Sequence, residues 1–170
     1  GAAVPAWTPT SSSAVWTELA DVTLGAAGQL SSGTFAAHDL LDIWILGANT
    51  VSQNTAVTFN NDGTANYKYN WTIDGAYAAI ADDTELGING GNNDHVSFIH
   101  LKTFYDTTTT DTGITWQGMN FVSGGGNTPI SLSGWGYYSG SQITRVDKSQ
   151  FGAVAIDQKI GARVIVLGAL

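Results

Sequence analysis

Three aromatic residues in one short stretch carry the clearest chemical signal in the sequence. Trp135, Tyr137 and Tyr138 lie in a glycine-flanked segment, and Trp116 precedes them in the chain. An aromatic face stacks on the apolar side of a pyranose ring, so these residues are candidates for a platform that binds a glycan or a protein partner. The alternation of Trp135 and Tyr137 is also typical of a sandwich core, and packing in the core or between subunits is the favoured interpretation.

Acidic residues in polar segments are the second set of candidates, as weak calcium ligands. Calcium takes six to eight oxygen ligands, whereas Asp62 and Asp94 are each the only carboxylate of an Asn-rich cluster that turn chemistry explains. A denser acidic group, formed by Asp82, Asp83 and Glu85, lies between them in the chain. The weak calcium candidates are therefore Asp62, Asp82, Asp83, Glu85 and Asp94. No firm metal site is predicted, and calcium is the one cofactor left open.

The histidines do not form a recognisable catalytic pattern. Ser, Thr and Asp are abundant, so a Ser-His-Asp set can be written around His38, His95 or His100 without any specific spacing to support it. The sequence contains neither a nucleophile elbow nor a metal-binding H-E-x-x-H motif. We therefore expect a protein that is not an enzyme and that has no catalytic residues.

Composition narrows the classes of partner. The 170 residues have a net charge of -8, only 12% of them are charged, and none is Cys. Nucleic-acid binding is disfavoured because it needs a basic surface, and disulfide or thiol chemistry is excluded. No apolar run reaches the roughly 20 residues that span a bilayer, so we expect a soluble chain without a membrane anchor or a retained export signal. A neutral polar surface of this kind suits large assemblies and extracellular particles.

The elements that must position these residues are short strands. Residues 57–73 alternate apolar and polar side chains on both sides of Asn61-Asp62-Gly63, which predicts a β-hairpin with one face on a second sheet. Residues 35–46 predict a central strand, with Leu41, Ile43 and Ile45 on one face. Further strands are predicted at residues 22–24, 96–104, 114–122 with a bulge at Gly118, and 163–167.

Residues 76–85 have the only appreciable helix propensity, enough for one or two turns. The other segments together predict an all-β fold, an antiparallel, jelly-roll-like β-sandwich in a single domain over residues 20–170.

An extended N-terminal arm, residues 1–19, precedes this domain. Its first thirteen residues include two of the three prolines, which favours an extended segment over a regular element. Trp7 either folds back onto its own domain or inserts into a neighbouring subunit, as tryptophans at interfaces do. The candidate interface residues are Pro5, Trp7, Pro9 and Trp16.

The order of segments resembles a known family. An FxxxDLLDIWILG strand, then VTFNNDGTANYKY, WGYYSGSQITRV and a closing GARVIVLG strand resemble a β-sandwich family of structural proteins in tailed bacteriophages and environmental viral contigs. The resemblance covers roughly residues 20–170. It implies a non-enzymatic protein of the virion, in a head decoration or tail-associated role, and carries no site residues across.

Together these features predict a capsid decoration, or cement, protein on the surface of an extracellular virus particle. We expect it to assemble as a homotrimer and to contact the major capsid protein or other virion proteins through many weak contacts. Two alternatives remain open. One is a module of a phage tail or fibre that binds a receptor or a host-surface glycan, and the other is a carbohydrate-binding module of a secreted enzyme.

Overall fold

The chain folds into an all-β sandwich. A computed structural model describes residues 15–50, 55–73, 76–88, 96–121, 129–150 and 158–169, which contain strands, turns and connecting segments but no helix. The strands are β1 (Thr17–Thr23), β2 (Leu30–Ser31), β3 (Leu40–Ala48), β4 (Thr55–Phe59), β5 (Tyr67–Ile73), β6 (Ala76–Asp83), β7 (Leu86–Ile88), β8 (Val96–Tyr105), β9 (Thr112–Phe121), β10 (Pro129–Tyr138), β11 (Val146–Gln150) and β12 (Arg163–Ala169).

These strands form two antiparallel sheets. The larger has eight strands in the order β1-β12-β3-β8-β9-β10-β5-β6, and the smaller has four in the order β2-β11-β4-β7. One cluster of buried hydrophobic side chains draws on both sheets, so the sheets enclose a single core. The predicted antiparallel β-sandwich is confirmed.

Strand β3 shows how the alternating pattern sets the core. Leu41, Ile43 and Ile45 are almost completely buried, whereas Leu40 and Leu46 on the opposite face are exposed. The strand pairs with β12 on one side and β8 on the other, as predicted for a central strand. The eight-stranded sheet therefore presents an apolar inner face to the core and an outer face to its surroundings.

The hairpin predicted over residues 57–73 is wrong. Strand β4 lies in the four-stranded sheet and β5 lies in the eight-stranded sheet, so the chain crosses from one sheet to the other between them. Asn60 directs this crossing, because its backbone has a positive φ and its side chain bonds the segment before β11, donating to the Gln142 carbonyl at 3.0 Å and accepting from the Thr144 N–H at 2.8 Å. Alternation specifies a buried face, but two strands that face each other across a core bury their apolar sides just as paired strands do.

The helical turn predicted over residues 76–85 is also wrong. Residues 76–83 form β6, which pairs with β5 and has Ala76 opposite Ile73. This strand is one of the two edge strands of the large sheet. Backbone pairing with an existing strand outweighs the weak helix propensity of a short alanine-rich segment.

The bulge predicted at Gly118 is absent. Gly118 stands in unbroken register opposite Ile99 on β8 and Leu132 on β10. A Cβ there would lie 3.0 Å from the Phe98 carbonyl oxygen and 3.6 Å from the Leu132 Cβ. The glycine thus permits close packing rather than an extra residue.

The sandwich begins earlier than residue 20. Strand β1 starts at Thr17 and pairs with β12, so the last three residues of the predicted arm belong to the domain and Trp16 directly precedes it. Pro5, Trp7 and Pro9 lie outside the described residues. Across the described part of the chain, no helix is long and apolar enough to cross a membrane.

Candidate functional site

Strand β10 divides the predicted aromatic platform between the two faces of the large sheet. Trp135 and Tyr137 point outward and expose 62% and 37% of their surface, whereas Tyr138 points into the core and exposes 1%. Tyr138 donates a 2.9 Å hydrogen bond to the Asp62 carboxylate and packs 4.9 Å from the ring of Tyr67, so it is a core residue and not part of a platform. For Trp135 and Tyr137, the prediction that they pack in the core of their own chain is wrong, because both lie on the outer face of the sheet.

Two inward-facing glycines explain why Trp135 stands out from the sheet. Gly134 and Gly136 flank it. A Cβ at Gly134 would overlap the ring of Trp116, and a Cβ at Gly136 would overlap the Lys68 carbonyl oxygen and the Cα and Cβ of Tyr69. The rings of Trp116 and Tyr69 meet edge to face, with centroids 5.9 Å apart. Trp116 is therefore a core residue, 3% exposed, and does not join the platform. The Gly-Trp-Gly sequence places one indole outward over a layer of buried aromatic rings.

A groove of about 450 Å³ runs across the outer face beside Trp135. The antiparallel register brings its lining from five strands, β5, β6, β8, β9 and β10. We call this the polar groove and define it by Asn70, Tyr77, His100, Lys102, Gln117 and Trp135. Two aromatic rings with amide, imidazole and amine groups between them offer both stacking surfaces and hydrogen-bonding groups, the combination that fixes a small polar ligand.

Several groove residues are already held in place. The Tyr77 hydroxyl donates to Asn70 Oδ1 at 2.8 Å, which fixes the exposed phenol on the edge strand. His100 Nε2 lies 2.5 Å from Asp42 Oδ1, and its ring stacks on Trp44 with centroids 3.8 Å apart. Such contacts limit the side-chain entropy that ligand binding would remove.

A second hollow, also of about 450 Å³, adjoins the polar groove and is apolar. Trp16, Leu40, Phe104 and Ile114 line it, and Trp135 and Lys102 border both hollows. Trp16 is 46% exposed, so this one described member of the predicted interface set does lie at an open surface.

Two apolar rows flank the polar middle of the outer face. The first apolar row consists of Leu40, Phe104 and Tyr137, aligned by register with Gly113 between the last two. The second apolar row consists of Leu46, Phe98 and Met119. All six side chains are at least 37% exposed. Clustered exposed hydrophobics of this kind mark surfaces that contact something else.

Asp62 acts as an anchor for the turn that follows β4. Its carboxylate accepts hydrogen bonds from the Thr64 N–H at 2.9 Å, from Asn66 Nδ2 at 2.8 Å and from the Tyr138 hydroxyl. Burial raises the pKa of Asp62, but these hydrogen bonds outweigh that effect and hold the pKa below its usual value. The Asp62 carboxylate is thus occupied by hydrogen bonds to the turn and to Tyr138, which accounts for it without a calcium ion.

The remaining calcium candidates do not converge within the described part of the chain. Asp83 accepts hydrogen bonds from the Tyr69 hydroxyl at 2.8 Å and from the Thr84 N–H, and Glu85 is buried. Asp94 and the side chain of Asp82 lie outside the described residues. Among the residues that are described, no three His, Asp or Glu side chains are grouped to hold a metal ion.

Sequence reasoning missed most of the polar groove. Tyr77 was missed because a helix was predicted over its segment. Asn70, Lys102 and Gln117 occupy polar positions of alternating strands, so the period-2 pattern predicts that they face outward. Their proximity to one another depends on the sheet order, with β10 between β9 and β5, which the pattern does not specify. His38 is on neither groove, and His95 lies outside the described residues.

The fold and this face define a β-sandwich with a groove on one sheet that is lined by aromatic and polar side chains. Comparison of the chain with protein-family models, with curated proteins and with solved structures finds no match.

Proposed function

We propose that this protein is a non-enzymatic recognition module that binds carbohydrate in the polar groove. The observation that carries the proposal is the outward Trp135, which is 62% exposed and lies beside polar side chains in the groove. An indole of this kind offers a flat apolar face to the C–H side of a sugar ring. Asn70, Gln117 and Lys102 lie around it to bond the hydroxyl groups of the ring.

A place on the surface of a virus particle fits this role. The segments from FxxxDLLDIWILG to GARVIVLG resemble those of phage structural proteins, and the low charge suits a crowded particle surface. In that setting the module would bind a receptor or a host-surface glycan from a tail or fibre, with many copies adding their weak affinities.

Glycan-array binding tests the proposal. The wild type should bind a subset of glycans, and Trp135→Ala should lose about 5- to 150-fold in affinity, since a stacked ring contributes about 1–3 kcal/mol by analogy with stacked bases. Tyr137→Ala is the matched control, because Tyr137 lies on the same strand and face but outside the polar groove. Circular dichroism would confirm that both variants keep the fold. Equal binding by Trp135→Ala, or no glycan bound by the wild type, would refute the proposal.

Capsid decoration as a homotrimer is the second candidate, and the two apolar rows favour it. Their six exposed side chains suit burial against a second copy or a capsid protein better than contact with a sugar. A Phe98→Lys substitution in the second apolar row should then abolish trimers in light scattering, or attachment to particles in electron microscopy. If Phe98→Lys changes neither assembly nor attachment, the decoration role fails.

A further inference from the structure

We propose that the polar groove selects an anionic carbohydrate and that Lys102 binds its acidic group. This inference rests on the proposed function and adds the chemical class of the ligand. The ligand class is a sugar that carries a carboxylate or a sulfate near the ring that stacks on Trp135; both groups are anions that an ammonium group can bind.

The distribution of cations points to this class. The chain has six Lys and Arg against fourteen Asp and Glu, so an unpaired surface cation stands out. Arg145 binds Asp147 with contacts of 2.8–3.0 Å, and Arg163 binds Asp21. Lys148 is buried in the core. Two of the other lysines, Lys68 and Lys102, lie on the outer face of the large sheet.

Lys102 is exposed and makes no hydrogen bond or ion pair with any described residue. Its cross-strand neighbour Asp42 is the one acidic side chain opposite it, and Asp42 Oδ1 is already taken by His100. Lys68 lies on the far side of Trp135, 5.8 Å from the centre of the Tyr137 ring. The groove therefore contains an ammonium group that no described acidic side chain binds, in a strongly acidic protein, and such a group attracts anions.

The strand register places Lys102 close enough to Trp135 for one sugar to contact both side chains. Lys102, Thr115 and Trp135 are aligned on three adjacent strands, so the backbones of Lys102 and Trp135 are about 10 Å apart, two strand spacings. Both side chains line the same groove, with the exposed Thr115 between them. A ring stacked on Trp135 directs a substituent over Thr115 toward the Lys102 ammonium.

Matched charged and neutral polysaccharides test the inference. Polygalacturonate is compared with its neutral, carboxyl-reduced form, and dextran sulfate is compared with neutral dextran. The first pair tests recognition of a carboxylate and the second pair tests recognition of a sulfate. Binding is measured by biolayer interferometry for the wild type, Lys102→Met and Lys159→Met. Lys159 is exposed and does not line the groove, so its variant removes the same charge elsewhere.

We expect at least one charged polymer to bind the wild type about tenfold more tightly than its neutral counterpart, which corresponds to one charge-assisted hydrogen bond. Lys102→Met should remove this preference and Lys159→Met should keep it. If charged and neutral forms bind equally and Trp135→Ala weakens both, the inference is overturned while carbohydrate binding stands. A preference that survives in Lys102→Met also overturns it. If no polymer binds but the wild type binds other, neutral glycans on the array, the inference fails while carbohydrate binding stands; if neither the polymers nor the array glycans bind, both fail.

Discussion

The hydroxyl oxygen of Tyr67 on β5 accepts a 2.8 Å hydrogen bond from the backbone N–H of Phe59, the last residue of β4. The two residues belong to opposite sheets, and their rings lie 6.0 Å apart in the core. The same hydroxyl donates to the Asp62 carbonyl at 3.2 Å. This contact joins the sheets at the point where the chain crosses between them, and it replaces the hairpin pairing that the sequence pattern suggests.

A Tyr67→Phe substitution should lower the free energy of unfolding by about 1–3 kcal/mol. The change leaves the buried Phe59 N–H without an acceptor, and the cost of such a group is its full desolvation. Urea unfolding followed by fluorescence measures the loss. Tyr137→Phe on the outer face is the matched control and should change stability by less than about 0.5 kcal/mol. Equal effects of the two variants would show that the contact between the sheets contributes nothing.

Gly134→Ala should destabilise the fold by about 3 kcal/mol through overpacking. A Cβ at Gly134 would overlap the Trp116 ring and the Asn70 carbonyl oxygen. Gly63→Ala is the control, because a Cβ at Gly63 meets nothing within 4 Å. Thermal or urea unfolding of both variants checks the difference. A fully stable Gly134→Ala would mean that the buried ring of Trp116 can move aside easily.

Lys148 should make stability rise with pH. Burial lowers its pKa to about 7, and its Nζ donates to Ser97 Oγ at 2.8 Å across the core. The pKa of an unfolded lysine is about 10.4, so between these values the unfolded chain binds more protons, and the free energy of unfolding increases with pH. We expect a rise of about 2–4 kcal/mol from pH 6 to pH 9.5.

Urea unfolding across this pH range tests the effect of Lys148. Lys148→Met should flatten the rise, since Met fills a similar volume without a charge. Lys159→Met, which removes an exposed lysine, should retain it. If the wild-type rise persists in Lys148→Met, another group is responsible for it.

Asp62 should contribute stability that acid removes. Its folded pKa is held below its usual value, so the contribution is present above the unfolded pKa of about 3.9 and is lost as the pH falls through the folded pKa. Asp62→Asn loses acceptors for Asn66 and Tyr138 and should be less stable than the wild type at pH 7. The two proteins should converge near pH 2. A constant difference from pH 7 to pH 2 would exclude a role for the carboxylate charge.

The sequence was sufficient for the fold class and for the core face of β3, because a period of two in apolar residues follows directly from strand geometry. It could not decide whether residues 57–59 and 67–73 pair or face each other, since both arrangements bury the same side chains. The pairing of β6 was missed because local helix propensity was weighed without knowledge of an available sheet edge.

The candidate site was only partly readable for a similar reason. Trp135, Tyr137 and Tyr138 were candidates for a platform, but packing in the core or between subunits was the favoured interpretation. Nothing in the sequence pattern indicated that Gly134 makes room for the Trp116 ring, or Gly136 for the backbone and Cβ of Tyr69. Tyr138 and Trp116 look equivalent to Trp135 in composition, and only their direction in the sheet assigns them to the core. The grouping of Lys102, Gln117 and Asn70 beside Trp135 is a property of sheet order.

Chemical-shift mapping of a bound sugar tests the central claim most directly. An oligosaccharide that binds on the array is titrated into ¹⁵N-labelled protein, and the indole N–H signals are assigned with Trp-to-Phe variants. Binding in the polar groove predicts the largest shift at the Trp135 indole, with amide changes confined to β5, β6, β8, β9 and β10. Shifts centred on the four-stranded sheet, or an unchanged Trp135 indole at saturation, would contradict binding in the polar groove.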